Sequence, residues 1–289
     1  MKTKDTAPPL RVLSLDGGGM RGLYTATLIS SLASSLRGKP VDIGSVFDVI
    51  VGTSTGGILA TALAIGVPIQ EVIELYRSVG PSIFVDPQPQ PSLANLKFPE
   101  GSKLGKLWWF IRHGKSIWRD PFVQWCRRNA SKAANDSGPL RAELTRLFGT
   151  MTFGQLYEKR QIGLCMAAVK ILDEKLRVFK TPHIGTKNYD VNLTLVDACM
   201  ATSAAPLYLP LAEVPNPQMP DSYEIYADGG LAVNNPVMIG LIEALQIVGN
   251  SGRQIEIFSV GTCSAPEGAV VSRTELNRGI AQWKVGAKV

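Results

Sequence analysis

Three short stretches of this chain combine residue types with a spacing that chemistry can use. Gly52-Thr53-Ser54-Thr55-Gly56 has the G-x-S-x-G pattern of a nucleophile elbow. Its serine would occupy a strained strand-to-helix turn, with small residues on both sides to let the backbone pass. Such a turn lifts the hydroxyl off a sheet edge and aims the next helix's N-terminus at the point where negative charge develops. Asp16-Gly17-Gly18-Gly19-Met20-Arg21-Gly22 offers successive backbone N–H groups to one anion, a phosphate or an oxyanion. Asp228-Gly229-Gly230 sets a carboxylate at the end of an expected strand.

Each stretch also has an ordinary reading. The elbow can be a glycine-rich turn with an incidental serine, and Asp228 can cap its own turn. Gly17, Gly19 and Gly22 satisfy G-x-G-x-x-G, but a dinucleotide site needs an acid at the end of the second strand. Asp42 has about the right spacing and lies before that strand instead. A Lys-Ser/Thr pair does not follow the glycines, so the phosphate-binding loop of nucleotide hydrolases does not fit. A serine nucleophile usually takes its base from histidine. Only His113 and His183 are present, and neither falls in a loop expected beside the elbow. Asp228 is the better base, since a desolvated carboxylate at hydrogen-bond distance can accept the serine proton.

These residues need a scaffold, and the sequence supplies one in repeated strand, tight turn and helix. Strands are expected at Arg11–Leu15, Phe47–Val51, Glu224–Ala227 and Ile255–Val260, with a hairpin at Ile162–Leu172 and Leu176–Lys180. Helices are expected at Gly22–Leu36, Thr55–Ile65, Ile69–Val79, Pro121–Ala134, Pro139–Phe148, Leu195–Thr202 and Pro236–Val248. The succession predicts an α/β fold with a mostly parallel central sheet and helices on both faces. Prolines between Pro81 and Pro99 and a basic, tryptophan-rich run at Lys103–Arg119 interrupt the pattern. Residues 80–150 therefore read as a helical, basic cap inserted into one domain spanning 10–289, after a flexible lead of residues 1–9.

With 289 residues and 45% hydrophobic content, the chain can bury a sizeable core. Cys126, Cys165, Cys199 and Cys263 are widely spaced, which fits free thiols rather than a metal site or a disulfide framework. The first residues lack the apolar centre of a signal peptide, and no apolar run reaches membrane-spanning length, so a cytoplasmic protein is expected. The net charge of +6 suits an anionic membrane and nucleic acid equally.

Taken together, Leu13–Gly22, Phe47–Gly57, Ser203-Ala204-Ala205-Pro206 and Asp228–Gly230 resemble the patatin-like phospholipases, in the same order along the chain. The resemblance implies a three-layer α/β/α sandwich and a Ser–Asp dyad, with Ser54 as nucleophile and Asp228 as base. It implies that Gly17, Gly18, Gly19 and Arg21 form or support an oxyanion hole. It also implies that catalysis needs no cofactor or metal. Thr55 is a further expected oxyanion donor, and Gly52, Gly56, Gly229 and Gly230 are expected to support the motifs. The implied substrate is the acyl ester of a membrane phospholipid, and no nucleic acid polymer is expected as a partner. The run Arg11–Thr27 and the basic ending Arg273–Lys284 are similar to bacterial patatin-like effectors of anti-phage signalling, which implies a cyclic-nucleotide activator. The aromatic and cationic residues from Leu107 to Arg119 are the expected membrane-binding segment. A non-catalytic lipid- or nucleotide-binding module on the same fold is the alternative.

Overall fold

The computed structural model describes residues 7–37, 42–89, 118–185, 189–216, 219 and 221–263. The chain divides into two compact units, Met1–Val85 with Asn135–Ser264, and Asp86–Ala134 with Ala265–Val289.

The first unit is built on a mixed sheet. Its strands are β1 (Leu10–Leu15), β2 (Val49–Thr53), β3 (Gly163–Lys170), β4 (Lys175–Lys180), β5 (Ala212–Pro215), β6 (Tyr223–Asp228) and β7 (Ile255–Val260). The order is β5-β6-β3-β2-β1-β7, with β4 also paired to β3. β7, β1, β2 and β3 run parallel, whereas β4 and β6 are antiparallel to β3 and β5 is antiparallel to β6.

Alternation along the strands divides the core, because successive side chains point to opposite faces. Leu13, Leu15, Ile50, Leu164 and Met166 join the larger cluster on one face. Leu10, Val12, Val49, Val51, Cys165 and Ala167 face the other way, against Ile239 and Ala244. The larger cluster is covered by helices that include α2 (Thr55–Ile65), α6 (Gly138–Phe148), α7 (Phe153–Arg160) and α8 (Leu195–Thr202). The opposite face is covered by α9 (Val237–Val248). α1 (Gly22–Arg37) and α3 (Ile69–Glu74) complete the larger layer, and α4 (Gly80–Ile83) follows a π-helical turn at Leu75–Val79. The sandwich expected from the sequence is present, as helices on both faces of a sheet.

Several element boundaries differ from the sequence reading. β2 starts at Val49 and runs to Thr53, since the parallel ladder with β3 continues to Thr53 opposite Ala167. The helix expected through Val79 leaves α geometry at Leu75. Gly138–Phe148, expected in the inserted cap, buries Leu140, Leu144 and Phe148 in the main core. β5 and α7 were not anticipated. α7 carries a readable signal, the Thr152 capping box with Gln155. β5 is four residues long and ends on proline, too short for a periodic signal.

In the second unit, α5 (Pro121–Arg128) starts at Asp120, whose carboxylate accepts from Phe122 N at 2.9 Å and Val123 N at 3.3 Å. The helix expected to reach Ala134 ends at Arg128. Trp125 is buried and donates Nε1–H to the Asp86 carbonyl at 3.2 Å, and Arg127 stacks on Trp118. His113, the Leu107–Arg112 run and the basic ending Arg273–Lys284 lie outside the described residues. Among the described residues, no helix is long and apolar enough to cross a membrane.

Candidate active site

The sheet register explains how Ser54 and Asp228 meet. β4 holds one edge of β3 along Cys165–Lys170. β2 and β6 must therefore share the other edge. β2 ends there with Thr53 opposite Ala167, and β6 ends with Asp228 opposite Ala168. The two strands run towards each other and stop at adjacent positions of β3. Residues 174 apart in sequence become neighbours, and Ser54 Oγ donates to Asp228 Oδ2 at 2.6 Å.

Ser54 has φ 54° and ψ −126°, a region that side chains with a Cβ avoid. The surrounding structure compels it. Ser54 N–H donates to Thr202 Oγ1 at 2.9 Å, and its carbonyl accepts from Gly57 N and Ile58 N at the start of α2. Gly56 lies directly against the carbonyls of Leu15 and Asp16, so any Cβ there would drive the elbow away from the glycine loop. Gly52 is pressed against the Gly56 carbonyl, and Gly229 against that of Ala167. Both members of the pair are buried, Ser54 at 9% and Asp228 at 6% exposure.

Asp228 performs both roles weighed for it. Oδ1 accepts from Gly230 N at 2.6 Å, the ordinary cap of its own turn, while Oδ2 faces Ser54. Burial pushes its carboxyl above the usual range, opposed by the hydrogen bonds from Ser54 and Gly230.

The glycine loop sits beside this pair and divides its amides. Gly17 N–H donates to the Asn234 carbonyl at 2.9 Å, and the Gly17 carbonyl accepts from Asn234 Nδ2 and Thr262 Oγ1, each at 3.3 Å. Gly17 therefore braces the loop and is not a free donor. The N–H groups of Gly18 and Gly19 have no acceptor among the described residues. Gly19 has φ +56°, which glycine adopts without strain. Arg21 holds the loop's far side through its N–H and Nε, both to the Gly18 carbonyl, at 3.1 and 3.4 Å. Thr55 N–H heads α2, where helix geometry leaves the first amides without intrahelical partners.

The supporting residues Thr202, Asn234 and Thr262 were missed at the sequence level. Thr202 lies directly before Ser203-Ala204-Ala205-Pro206, and Asn234 follows Asp228-Gly229-Gly230 by four residues. Proximity to those motifs was the available signal.

His183 is not part of the site. Its ring packs at Gly163, which pairs with Val49 at the start of β2. Four residues of strand separate Val49 from Thr53, on the order of 13 Å. His183 instead bonds Thr181 Oγ1 at 2.8 Å and Glu243 Oε2 at 3.2 Å, while Lys180 Nζ holds Glu243 Oε1 at 2.8 Å. Cys165, His183 and Glu243 bring potential ligand atoms within 4.8 Å of one another. The Lys180–Glu243 charges already balance, so a buried divalent cation would add uncompensated charge. Asp42, the weighed ribose acid, pairs with Arg160 at 2.6 Å.

A buried serine on a strained strand-to-helix turn, bonded to a carboxylate beside two glycine amides that have no acceptor among the described residues, is an arrangement a serine hydrolase on an α/β sandwich can use. The profile of the family described as patatin-like phospholipase matches residues 13–241, and the chain belongs to this family. It is 32% identical over 281 residues to a cGAMP-activated phospholipase of Pseudomonas aeruginosa, covering 96% of this chain and 70% of that protein. Cyclic-nucleotide-activated relatives of the same description in Escherichia coli and Vibrio cholerae are 33% and 32% identical, each covering 88% of this chain. The chain spans 62% and 64% of the length of those two proteins. Among solved structures, VipD from Legionella pneumophila is similar at 15% identity and a TM-score of 0.45, over 90% of this chain and 52% of that one.

Proposed function

We propose that this protein is a lipid acyl hydrolase of the phospholipase A type, with Ser54 as nucleophile and Asp228 as its general base. The observation that carries this reading is the 2.6 Å bond between Ser54 Oγ and Asp228 Oδ2 at the point where β2 and β6 converge. In the proposed cycle, Ser54 Oγ attacks the acyl carbonyl of a phospholipid as its proton passes to Asp228 Oδ2. The amides of Gly18, Gly19 and Thr55 receive the oxyanion, while Gly17 and Arg21 hold the loop that presents them. Collapse breaks the ester bond and the departing alkoxide takes the proton back from Asp228. Water then attacks the acyl-enzyme by the same route and releases the fatty acid. A pure binding module would gain nothing from holding a serine in strained backbone against a buried carboxylate.

The substrate surface is a phospholipid membrane, which the protein meets from the cytoplasmic side as a peripheral enzyme. The activator is a cyclic dinucleotide, a reading supported by the three cGAMP-activated relatives, and the role is membrane degradation in antiviral defence. Residues 10–289 act as a single hydrolase unit with its cap.

Release of fatty acid from phosphatidylglycerol-containing vesicles, followed by mass spectrometry with and without cGAMP, tests the reading. Ser54→Ala and Asp228→Asn are each expected to lose at least 100-fold in rate while keeping the wild-type circular dichroism spectrum. Near-wild-type turnover in either variant removes the dyad. Equal turnover with and without cGAMP removes the activator and leaves the hydrolase.

A further inference from the structure

Tyr76 is a buried polar side chain that the proposed cycle does not use, at 5% exposure. It lies in the π-helical turn Leu75–Val79 that interrupts the helix after Glu74. Such turns carry an extra residue, redirect the side chains that follow, and recur at functional sites. This one delivers the phenol to the first residue of α2. Tyr76 Oη donates to the Thr55 carbonyl at 3.2 Å and shares a short hydrogen bond with Thr55 Oγ1. A phenol has one proton. With that proton on the carbonyl, the Thr55 hydroxyl is the donor of the second bond. Burial pushes the Tyr76 hydroxyl up to about 12, so it keeps its proton throughout the neutral range.

The same pair touches the other half of the anion cradle. A Cβ on Gly22, the first residue of α1 after the glycine loop, would overlap Thr55 Oγ1 and come within 2.7 Å of Tyr76 Oη. The start of α1, Thr55 and Tyr76 therefore form one stack with no space between them. Its two ends lead directly to the two sets of oxyanion donors, Gly18 and Gly19 on one side and Thr55 N–H on the other.

We propose that Tyr76 is a positioning residue that fixes the Thr55 amide at a set separation from the glycine loop, so that both reach the same oxyanion. This rests on the hydrolase reading given above. The donors must lie where the oxyanion forms, and a shift of about 1 Å far from the chemistry costs on the order of 100-fold in rate. Binding of the ground-state ester makes no such demand, so the effect belongs in kcat.

The test compares wild type with Tyr76→Phe, Thr55→Val, Thr55→Ser and the Tyr76→Phe/Thr55→Val double variant on a soluble fatty-acyl ester. All are assayed at least 10 °C below their measured Tm. Expected is a kcat at least 10-fold lower for Tyr76→Phe and Thr55→Val, with KM within twofold of wild type. Thr55→Ser, which keeps the hydroxyl, should stay within threefold of wild type. The double variant should be no slower than the worse single one, because one contact has been removed twice. Labelling of Ser54 by a fluorophosphonate should slow in parallel with kcat. A lower Tm with unchanged kcat in Tyr76→Phe, or additive losses in the double variant, overturns the positioning role. If Ser54→Ala remains active, the hydrolase reading itself fails. If Ser54→Ala is dead and Tyr76→Phe turns over like wild type, only the positioning role fails.

Discussion

At the scale of residues, the proposed chemistry rests on one carboxylate with two different oxygens. Asp228 Oδ1 is committed to Gly230 N, and Oδ2 is left to Ser54. Burial raises its carboxyl, and only the ionised form can accept the serine proton. The proposed kcat/KM should therefore fall on the acid side with a midpoint above the ordinary aspartate value of about 3.9. A pH–rate profile checks this, and a midpoint at or below that value removes Asp228 as a base raised by desolvation. The same shift has a stability consequence of opposite sense. A folded-state carboxyl raised above its unfolded value contributes stability below the unfolded pKa, and that stability is lost as pH rises through the folded pKa. Asp228→Asn should thus melt at a higher temperature than wild type at pH 7, with the difference narrowing as pH falls towards the ordinary carboxylate range. Calorimetric Tm values across pH give the answer. Glycine, serine and aspartate were legible as candidates because their types and spacing are intrinsic to the chain. The division of labour between Gly17, which is bonded to Asn234, and its two neighbours was not, because it depends on a residue 217 positions away.

At the scale of elements, the site exists because two strands end at the same place. β2 enters parallel to β3 and β6 enters antiparallel to it, and their last residues face Ala167 and Ala168. α8 locks that junction through Thr202, whose hydroxyl accepts from Ser54 N at 2.9 Å and donates to the Ala167 carbonyl at 2.5 Å. Thr202→Val preserves the shape and removes both bonds, leaving a buried amide unpaired. The expected cost is about 1–3 kcal/mol of stability, with at least a 10-fold loss of turnover as the elbow relaxes from its strained φ. Urea denaturation and steady-state kinetics on the same preparation measure the two effects. The runs of small and apolar residues located α2 and α8 in the sequence, and the structure ends them at Ile65 and Thr202. The π-helical turn at Leu75–Val79 was invisible to periodicity, because it keeps the same apolar residues and changes only the winding.

At the scale of the whole molecule, the sheet separates the proposed chemistry from a second buried polar group. Lys180, Glu243 and His183 tie the β3–β4 hairpin to α9 on the face covered by the smaller cluster. Removing one partner strands a charge in the interior, so Glu243→Ala should cost about 3 kcal/mol, at the low end for a buried pair because Lys180 keeps partial contact with solvent. A thermal melt measures the loss, and an unchanged Tm would show the network to be dispensable. This arrangement also accounts for one of the two histidines of the sequence. His183 is held by Thr181 and Glu243 at the far end of β3 from Ser54, and among the described residues the group bonded to Ser54 Oγ is the Asp228 carboxylate.

By itself, the sequence determined the α/β alternation, the elbow, the glycine loop and the family resemblance that joins Ser54 to Asp228. These are local properties, written in the spacing of apolar residues and in turn chemistry that few residue types can satisfy. The tertiary structure decided which strands meet, which amides remain unpaired, and which side chains brace them. Hydrogen-bond partners such as Thr202 and Asn234 are ordinary residues in an ordinary helix and loop. Only the folded sheet, by bringing distant strand ends to one edge of β3, gives them a role.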